Sequence, residues 1–222
     1  MPKPHIDQWD ARAAAWHTRV EKMGVDRAIF HKKHKTPAQL AWITRVQQEA
    51  IWPHLVAALD GTEQRALDFG CGMGRWTPAL ADLVGYALGV DPTPELLTYA
   101  ETHRPVGGSG VLEYAPYVRG RIPADDQWFD VLWVCMVLST VLDDAMFHTT
   151  LEELRRVLRP GALIVLTDNT SREDGRPIRS GDSMSRTVKE YRQAFAWADL
   201  RRVGQYIDWH EINTVFVGRV RA

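Results

Sequence analysis

Apolar residues change their spacing near residue 65, and the change separates two kinds of structure along the chain. Before it, Ala and Trp recur at helical spacing through residues 5–22. A second helix is expected from Thr36-Pro37, an N-cap followed by proline at the first helical position, to about Leu59. Pro53 should bend that helix and Gly61 should end it. The basic run His31-Lys32-Lys33-His34-Lys35 between them reads as a solvated segment.

After Arg65, short apolar runs alternate with helical stretches. Strands are expected at 66–69, 86–90, 111–118 (with Pro116 interrupting), 129–135 and 162–167. Helices are expected at 76–84 and 94–103, and over Leu151, Leu154, Val157 and Leu158, where Arg159-Pro160-Gly161 ends the run. Residues 129–135 are almost continuously apolar, as a strand buried on both faces requires. Such alternation predicts an α/β fold with a parallel sheet and helices on both faces. A helix at 187–198 then precedes two strands, 201–209 and 212–220, too close together to pair in any way but antiparallel. The expected architecture is a Rossmann-like, mostly parallel seven-stranded sheet ending in a C-terminal antiparallel hairpin. Residues 1–60 form an N-terminal helical lid, residues 61–222 the core, and the two make one structural domain.

The stretch Leu67-Asp68-Phe69-Gly70-Cys71-Gly72-Met73-Gly74-Arg75-Trp76 carries the most chemistry. A glycine-rich turn between a first strand and helix lets backbone approach a ligand, with the helix N-terminus aimed at it. The dinucleotide pattern G-x-G-x-x-G fails, because its last position falls on Arg75 or on Thr77. A Walker loop fails too, since no Gly-Lys-Ser/Thr follows the glycines. Asp68 beside the turn would repel a pyrophosphate but suits a ligand with an ammonium and a sulfonium. Asp91 ends the second strand, at the distance along the chain where an acid meets ribose hydroxyls. The implied ligand has ribose and positive charge but no phosphate.

This segment resembles motif I of the small-molecule class I S-adenosylmethionine-dependent methyltransferases, acid-x-Gly-x-Gly-x-Gly. The resemblance continues through Gly89-Val90-Asp91-Pro92, Ile122-Pro123, Phe129-Asp130-Val131-Leu132 and the Leu-Arg-Pro-Gly before the fifth strand. It implies that Asp68, Gly70, Gly72 and Gly74 surround the methionine part of the cofactor, with Cys71 in the pocket wall. It further implies that Asp91 holds both ribose hydroxyls and Pro92 packs on adenine. Val118, Arg119 and Gly120 stand where that family often has Asp-Ala-Glu, so backbone contacts are expected to replace an acid at the base. Cys135, Met136 and Val137 should floor the pocket near sulfur. Trp9, Asp10 and Arg12 resemble an N-terminal lid signature, in which Arg12 meets the cofactor carboxylate.

Composition narrows the partners. Lys and Arg number 27 against 28 Asp and Glu, and a net charge of −1 argues against nucleic acid as main partner. The longest apolar stretch, 131–142, is too short for a bilayer, and Met1 to Asp7 lacks a secretion-signal core, so a cytoplasmic protein is expected. The eight His show no metal spacing. Methyl transfer asks mostly for positioning and water exclusion. If a base is used, His148, Asp143 and His17 are candidates (His31 and His34 behind them), with Asp143 equally suited to capping a helix. Residues 168–186 and the following helix should bound an acceptor site, with Asn169, Arg179, Arg186 and Tyr191 as candidate contacts to a small molecule, anionic if the arginines hold it. Arg172 and Arg176 lie in the same stretch. Three other functions compete: side-chain chemistry on the cofactor in an aromatic cage, methylation of RNA or protein, and a non-catalytic binding module.

Overall fold

Thr36 and Gln39 start the long helix of the N-terminal region by exchanging hydrogen bonds. The Thr36 hydroxyl accepts from the Gln39 amide at 3.2 Å, and the Gln39 side chain accepts from the Thr36 amide at 3.0 Å. A computed structural model describes residues 6–29, 36–171, 177–181, 183–208 and 211–222. His31, His34, Arg172 and Arg176 fall outside them. In this region α1 (Ile6–Met23) and α2 (Val25–Ala28) precede α3 (Pro37–Ala58), which runs through Pro53.

Then come β1 (Arg65–Phe69), α4 (Thr77–Val84), β2 (Tyr86–Asp91), α5 (Pro94–Thr102), β3 (Val111–Pro116), β4 (Phe129–Cys135), α6 (Asp144–Val157) and β5 (Leu158–Asn169). After a small hairpin of β6 (Ile178–Ser180) and β7 (Ser183–Ser185), α7 (Val188–Ala194) leads into β8 (Arg201–Asp208) and β9 (Glu211–Arg219). The main sheet has seven strands in the order β3-β2-β1-β4-β5-β9-β8. Its first five are parallel, and β9 lies antiparallel to both β5 and β8. Strand order reverses between β1 and β4, and at such a switch point a crevice opens over the carboxyl ends of the strands.

Both faces of the sheet are buried, and period-two alternation sends successive side chains to opposite layers. Leu132 and Val134 of β4 join Leu67, Ile164, Leu154 and Phe216 on one face. Val131 and Trp133 join Leu80, Val165, and Ile51 and Leu55 of α3 on the other. Helix α3 therefore packs into the core, while α1 reaches the parallel half through α5.

Four elements differ from the sequence reading. Strand β5 begins at Leu158 rather than 162: Leu158 pairs with Phe129, and a register irregularity absorbs Arg159-Pro160-Gly161 into the strand's start. Arg159 is held there by Asp130, at 2.7 Å. Strand β3 stops at Pro116, and residues 118–121 form a turn instead. Helix α7 ends at Ala194, because Phe195 is fully buried and Ala198 bridges to Val220. The hairpin of β6 and β7 had no signal in an alternation of apolar and polar residues, since Ile178-Arg179-Ser180 and Ser183-Met184-Ser185 are mostly polar.

Candidate active site

Beyond Phe69 the chain reverses under backbone control. The amides of Gly70 and Cys71 both donate to the Val90 carbonyl, at 2.8 and 3.0 Å, and Gly74 donates to Cys71 at 3.0 Å. Gly70, Gly72 and Gly74 all have positive φ (73°, 55° and 77°), a region where a side chain is strained. A methyl group on Gly70 would overlap Val137, and one on Gly74 would run into Tyr114 and Ala100. Gly70 and Gly72 thus keep the turn open toward the crevice, whereas Gly74 lets the turn pack closely on β3 and α5.

Two buried carboxylates tie the turn down. Asp91 accepts from the Gly72 amide at 3.0 Å and the Thr93 amide at 2.9 Å. Burial pushes its carboxyl up to about 6, against those hydrogen bonds. Asp68 accepts from the Thr77 hydroxyl at 2.7 Å, and burial pushes it up to about 7, against that bond and the nearby Arg75 charge. Asp91 borders the crevice; Asp68 lies behind the turn. The Cys71 thiol is also pushed well up by burial, which leaves it a small neutral wall residue.

The crevice is a cavity of about 780 Å³. Along one wall run Gly70, Cys71, Gly72, Asp91 and Pro92, with Val118 and Arg119 beyond them. Cys135, Met136 and Val137 border it below. Trp9 and Arg12 border it from α1, so that of the fifteen cofactor candidates twelve line one cavity and Asp68, Gly74 and Gly120 do not. Gly120 sits under the Trp9 ring, which also meets Tyr117 edge-on at 5.6 Å. Residues 118–121 make a tight turn, with Val118 and Arg121 exchanging backbone hydrogen bonds and Arg119 and Gly120 both at positive φ. At its tip the Arg119 guanidinium donates to Asp10 of α1, at 3.1 Å from Nη2.

The far end of the cavity is bordered by Gln47, Arg75, Trp76, Asn169, Gly181, Ser183, Asp208 and Glu211. Asn169 is the one acceptor candidate among its lining residues, and its amide donates to Glu211 at 3.0 Å. Arg186 is buried beneath the floor instead. It donates to the carbonyls of Leu138 and Val141, both at 2.8 Å, and lies 3.7 Å over the Phe147 ring. Tyr191 is fully buried, and Arg179 stands exposed on β6. Of the base candidates, Asp143 caps α6 by accepting from Met146 at 2.8 Å. His148 is exposed, and His17 pairs with Glu95 and Glu21; none of the three lines the cavity.

Trp16, one of the four early tryptophans that read as an aromatic lid over a pocket, lines the cavity from α1. Sequence reasoning missed Arg19 and Lys22 beside it, and Arg75, which is held by Thr44 and Gln47 at 3.1 and 2.9 Å. Trp9, Arg12, Trp16, Arg19 and Met23 recur at helical spacing, so one face of α1 was readable as a wall. Nothing in the pattern of β8 and β9 marked Asp208 or Glu211. Among the described residues, no helix is long and apolar enough to cross a membrane, and no group of three or more His, Cys, Asp or Glu could hold a metal.

A mostly parallel sheet in the order β3-β2-β1-β4-β5-β9-β8, with a glycine turn after its first strand and an acid ending its second, defines a Rossmann-like α/β protein with a crevice over its strand ends. Residues 67–166 match the family model described as a methyltransferase domain. Demethylmenaquinone methyltransferase of Bacillus pumilus is 29% identical over 150 residues, 65% of this chain and 63% of that protein. The chain thus spans just under two thirds of the length of that relative. A solved S-adenosylmethionine-dependent methyltransferase of Methanosarcina mazei superposes with a TM-score of 0.64 at 20% identity, over 78% of this chain and 99% of that one. The [4+2]-cyclase SpnF superposes at 0.65 with 17% identity, over 100% and 99%. At these identities the two structures speak for the fold alone. Over residues 67–166 the chain thus matches a methyltransferase domain, and it has the fold of the class I S-adenosylmethionine-dependent methyltransferases.

Proposed function

We propose that the protein methylates a small-molecule acceptor at oxygen, nitrogen or carbon. One observation carries the reading: the glycine turn and Asp91 share a cavity with a second, separately built end large enough for a small acceptor. The fit to the cofactor rests on that wall. Gly72 offers backbone where a Cβ would meet only Ile29, and Asp91 keeps lone pairs for ribose hydroxyls beyond those used by Gly72 and Thr93. When bound, S-adenosylmethionine supplies an electrophilic methyl carbon on a sulfonium.

The chain's own part is to bind and align. Asp91 holds the ribose, Pro92 and Val118 flank the base, and Gly70 and Gly72 present backbone without side chains to the methionine end. Met136 and Val137 floor the cavity where the acceptor's lone pair approaches in line. Trp9 and Trp16 of α1 exclude water, so within the expected lid of residues 1–60 it is α1 that covers the cavity, while α3 packs into the core of 61–222. Arg19 and Lys22 on the α1 wall favour an acceptor with an anionic group, in place of the arginines of 168–186. A proton lost by the acceptor would go to Asp208, to Glu211 or to water, since none of the described histidines lines the cavity. The relative named for demethylmenaquinone makes quinol-like aromatic compounds the first acceptors to try.

Incubation with methyl-labelled cofactor and a panel of such compounds tests the reading. S-adenosylhomocysteine together with a labelled small product is the expected outcome. Methylthioadenosine would mean side-chain chemistry, label on RNA or protein a macromolecular acceptor, and cofactor binding without turnover a binding module.

A further inference from the structure

The base end of the cavity lacks the acid that the strand loop would supply, because Val118, Arg119 and Gly120 occupy that place. Four described carboxylates other than the buried Asp68 bear on the question, since they line the cavity: Asp10, Asp91, Asp208 and Glu211. Asp91 ends β2 and is committed to the turn and, in the reading above, to ribose. Asp208 and Glu211 belong to the β8–β9 hairpin, at the opposite edge of the sheet from β2 and β3. Asp10 remains, and it is held at the correct place. Arg119, at the tip of the turn following β3, donates to it from Nε at 3.4 Å and Nη2 at 3.1 Å. Its neighbour Trp9 lies over Gly120, where a Cβ would come within 2.8 Å of the indole.

We infer that helix α1 reads the cofactor's base: the Asp10 carboxylate accepts the adenine 6-amino group, and this contact pins α1 over the cavity. The inference rests on the proposed cofactor placement. An ionised carboxylate has about four lone-pair sites. Arg119 takes some of them and fixes the group's orientation, and others remain for an N–H donor. An exocyclic amine is such a donor, and the turn's own carbonyls at Val118 and Arg121 each already accept the other residue's amide. Because the same helix presents Arg12, Trp16 and Arg19 to the cavity, recognition of the base also sets the wall that an acceptor meets. Base recognition and assembly of the acceptor wall thereby become one event.

The test compares S-adenosylhomocysteine with its 6-deamino analogue, in which purine replaces adenine, by titration calorimetry on wild type, Asp10→Ala and Asp10→Asn. Wild type should prefer the amino form by about tenfold, the low end for a charge-assisted hydrogen bond at a half-exposed group. Asp10→Ala should bring the two ligands to within about twofold, and Asp10→Asn, which keeps one acceptor oxygen, should restore part of the preference. Trypsin cleavage after Arg12 and Arg19 should be slowed by S-adenosylhomocysteine in wild type and not in Asp10→Ala. An undiminished preference in Asp10→Ala overturns the inference whatever the absolute affinities, as does a wild type that binds both ligands equally. A wild type that binds neither overturns the cofactor placement instead.

Discussion

The two ends of the cavity differ in what they are made of. At the β1–β2 end the wall is backbone, with the two left-handed glycines Gly70 and Gly72, two amides on one carbonyl, and a buried carboxylate whose partners are amides. At the β8–β9 end it is side chains: Gln47 from α3, Arg75 from the turn just before α4, Asn169 from β5 and Glu211 from β9. Backbone geometry can be specified by a short local string of residues, because φ and close approach are properties of each position. A side-chain wall gathered from four distant elements depends on the whole fold. The first end suits the part of a reaction common to a fold, and the second suits what distinguishes one acceptor from another.

Arg186 gives the sharpest way to break that contrast. It lies in the segment expected to hold an acceptor, yet its guanidinium braces the floor through Leu138 and Val141. Beside it, Asp168 accepts from the Ser139 amide, and burial raises the Asp168 carboxyl while the Arg186 charge opposes the shift. Arg186→Ala should destabilise the protein by about 3 kcal/mol, because it leaves two buried carbonyls without the charged donor they shared. Urea unfolding followed by tryptophan fluorescence measures it. A variant of normal stability with only weakened acceptor binding would return Arg186 to the acceptor wall.

The difference between the ends also explains what could be read from the chain alone. Gly70, Gly72 and Asp91 were legible because spacing and residue type sufficed, and the strands followed from apolar runs such as 129–135. Arg186 and Tyr191 were placed on the acceptor wall because position after β5 was the available cue, and that cue does not say which way a side chain turns. The hairpin of β6 and β7 carries no apolar alternation, and Glu211 borders the cavity only because β9 returns antiparallel beside β5. Arg75 was passed over as the residue that spoiled a dinucleotide pattern, although it lines the cavity.

At the backbone end, Asp91→Ala should weaken binding of S-adenosylhomocysteine by about 1.5–3 kcal/mol, the scale of hydrogen bonds to a charged group. Unchanged affinity by calorimetry would place the ribose elsewhere. Proton linkage sharpens the same point with a smaller effect. In the proposed placement ribose hydroxyls donate to the ionised Asp91, whose carboxyl is pushed by burial to about 6 in the folded protein. Affinity should therefore be level above that pH and fall by up to about 1.4 kcal/mol per pH unit below it. Stability of the cofactor-free protein runs the other way. A carboxyl raised on folding contributes fully below its unfolded value and loses that contribution as pH rises through the folded value. For Asp91 and Asp68 the losses fall near pH 6 and 7. Calorimetry and thermal melts between pH 5 and 8 separate the opposing trends, and Asp91→Asn should flatten the binding trend.

The smallest effects belong to the residues that looked most like catalysts. The Asp143 carboxylate is spent on the Met146 amide at the start of α6, and His148 is exposed one turn further along, its ring edge-on to Phe147 at 6.1 Å. Neither borders the cavity. Asp143→Ala should remove a helix cap and about 1 kcal/mol of stability, leaving turnover per folded molecule unchanged. His148→Ala, an exposed substitution away from any such contact, should shift stability by no more than about 0.5 kcal/mol and leave turnover alone. Steady-state rates across pH with a quinol-like acceptor decide the matter. General base catalysis contributes about 10²–10⁴-fold, so loss of a true base could not be mistaken for loss of a cap. A fall of that size in either variant would move the proton-accepting group away from the β8–β9 end and onto α6, and the side-chain wall would then need a partner that α6 carries into the cavity.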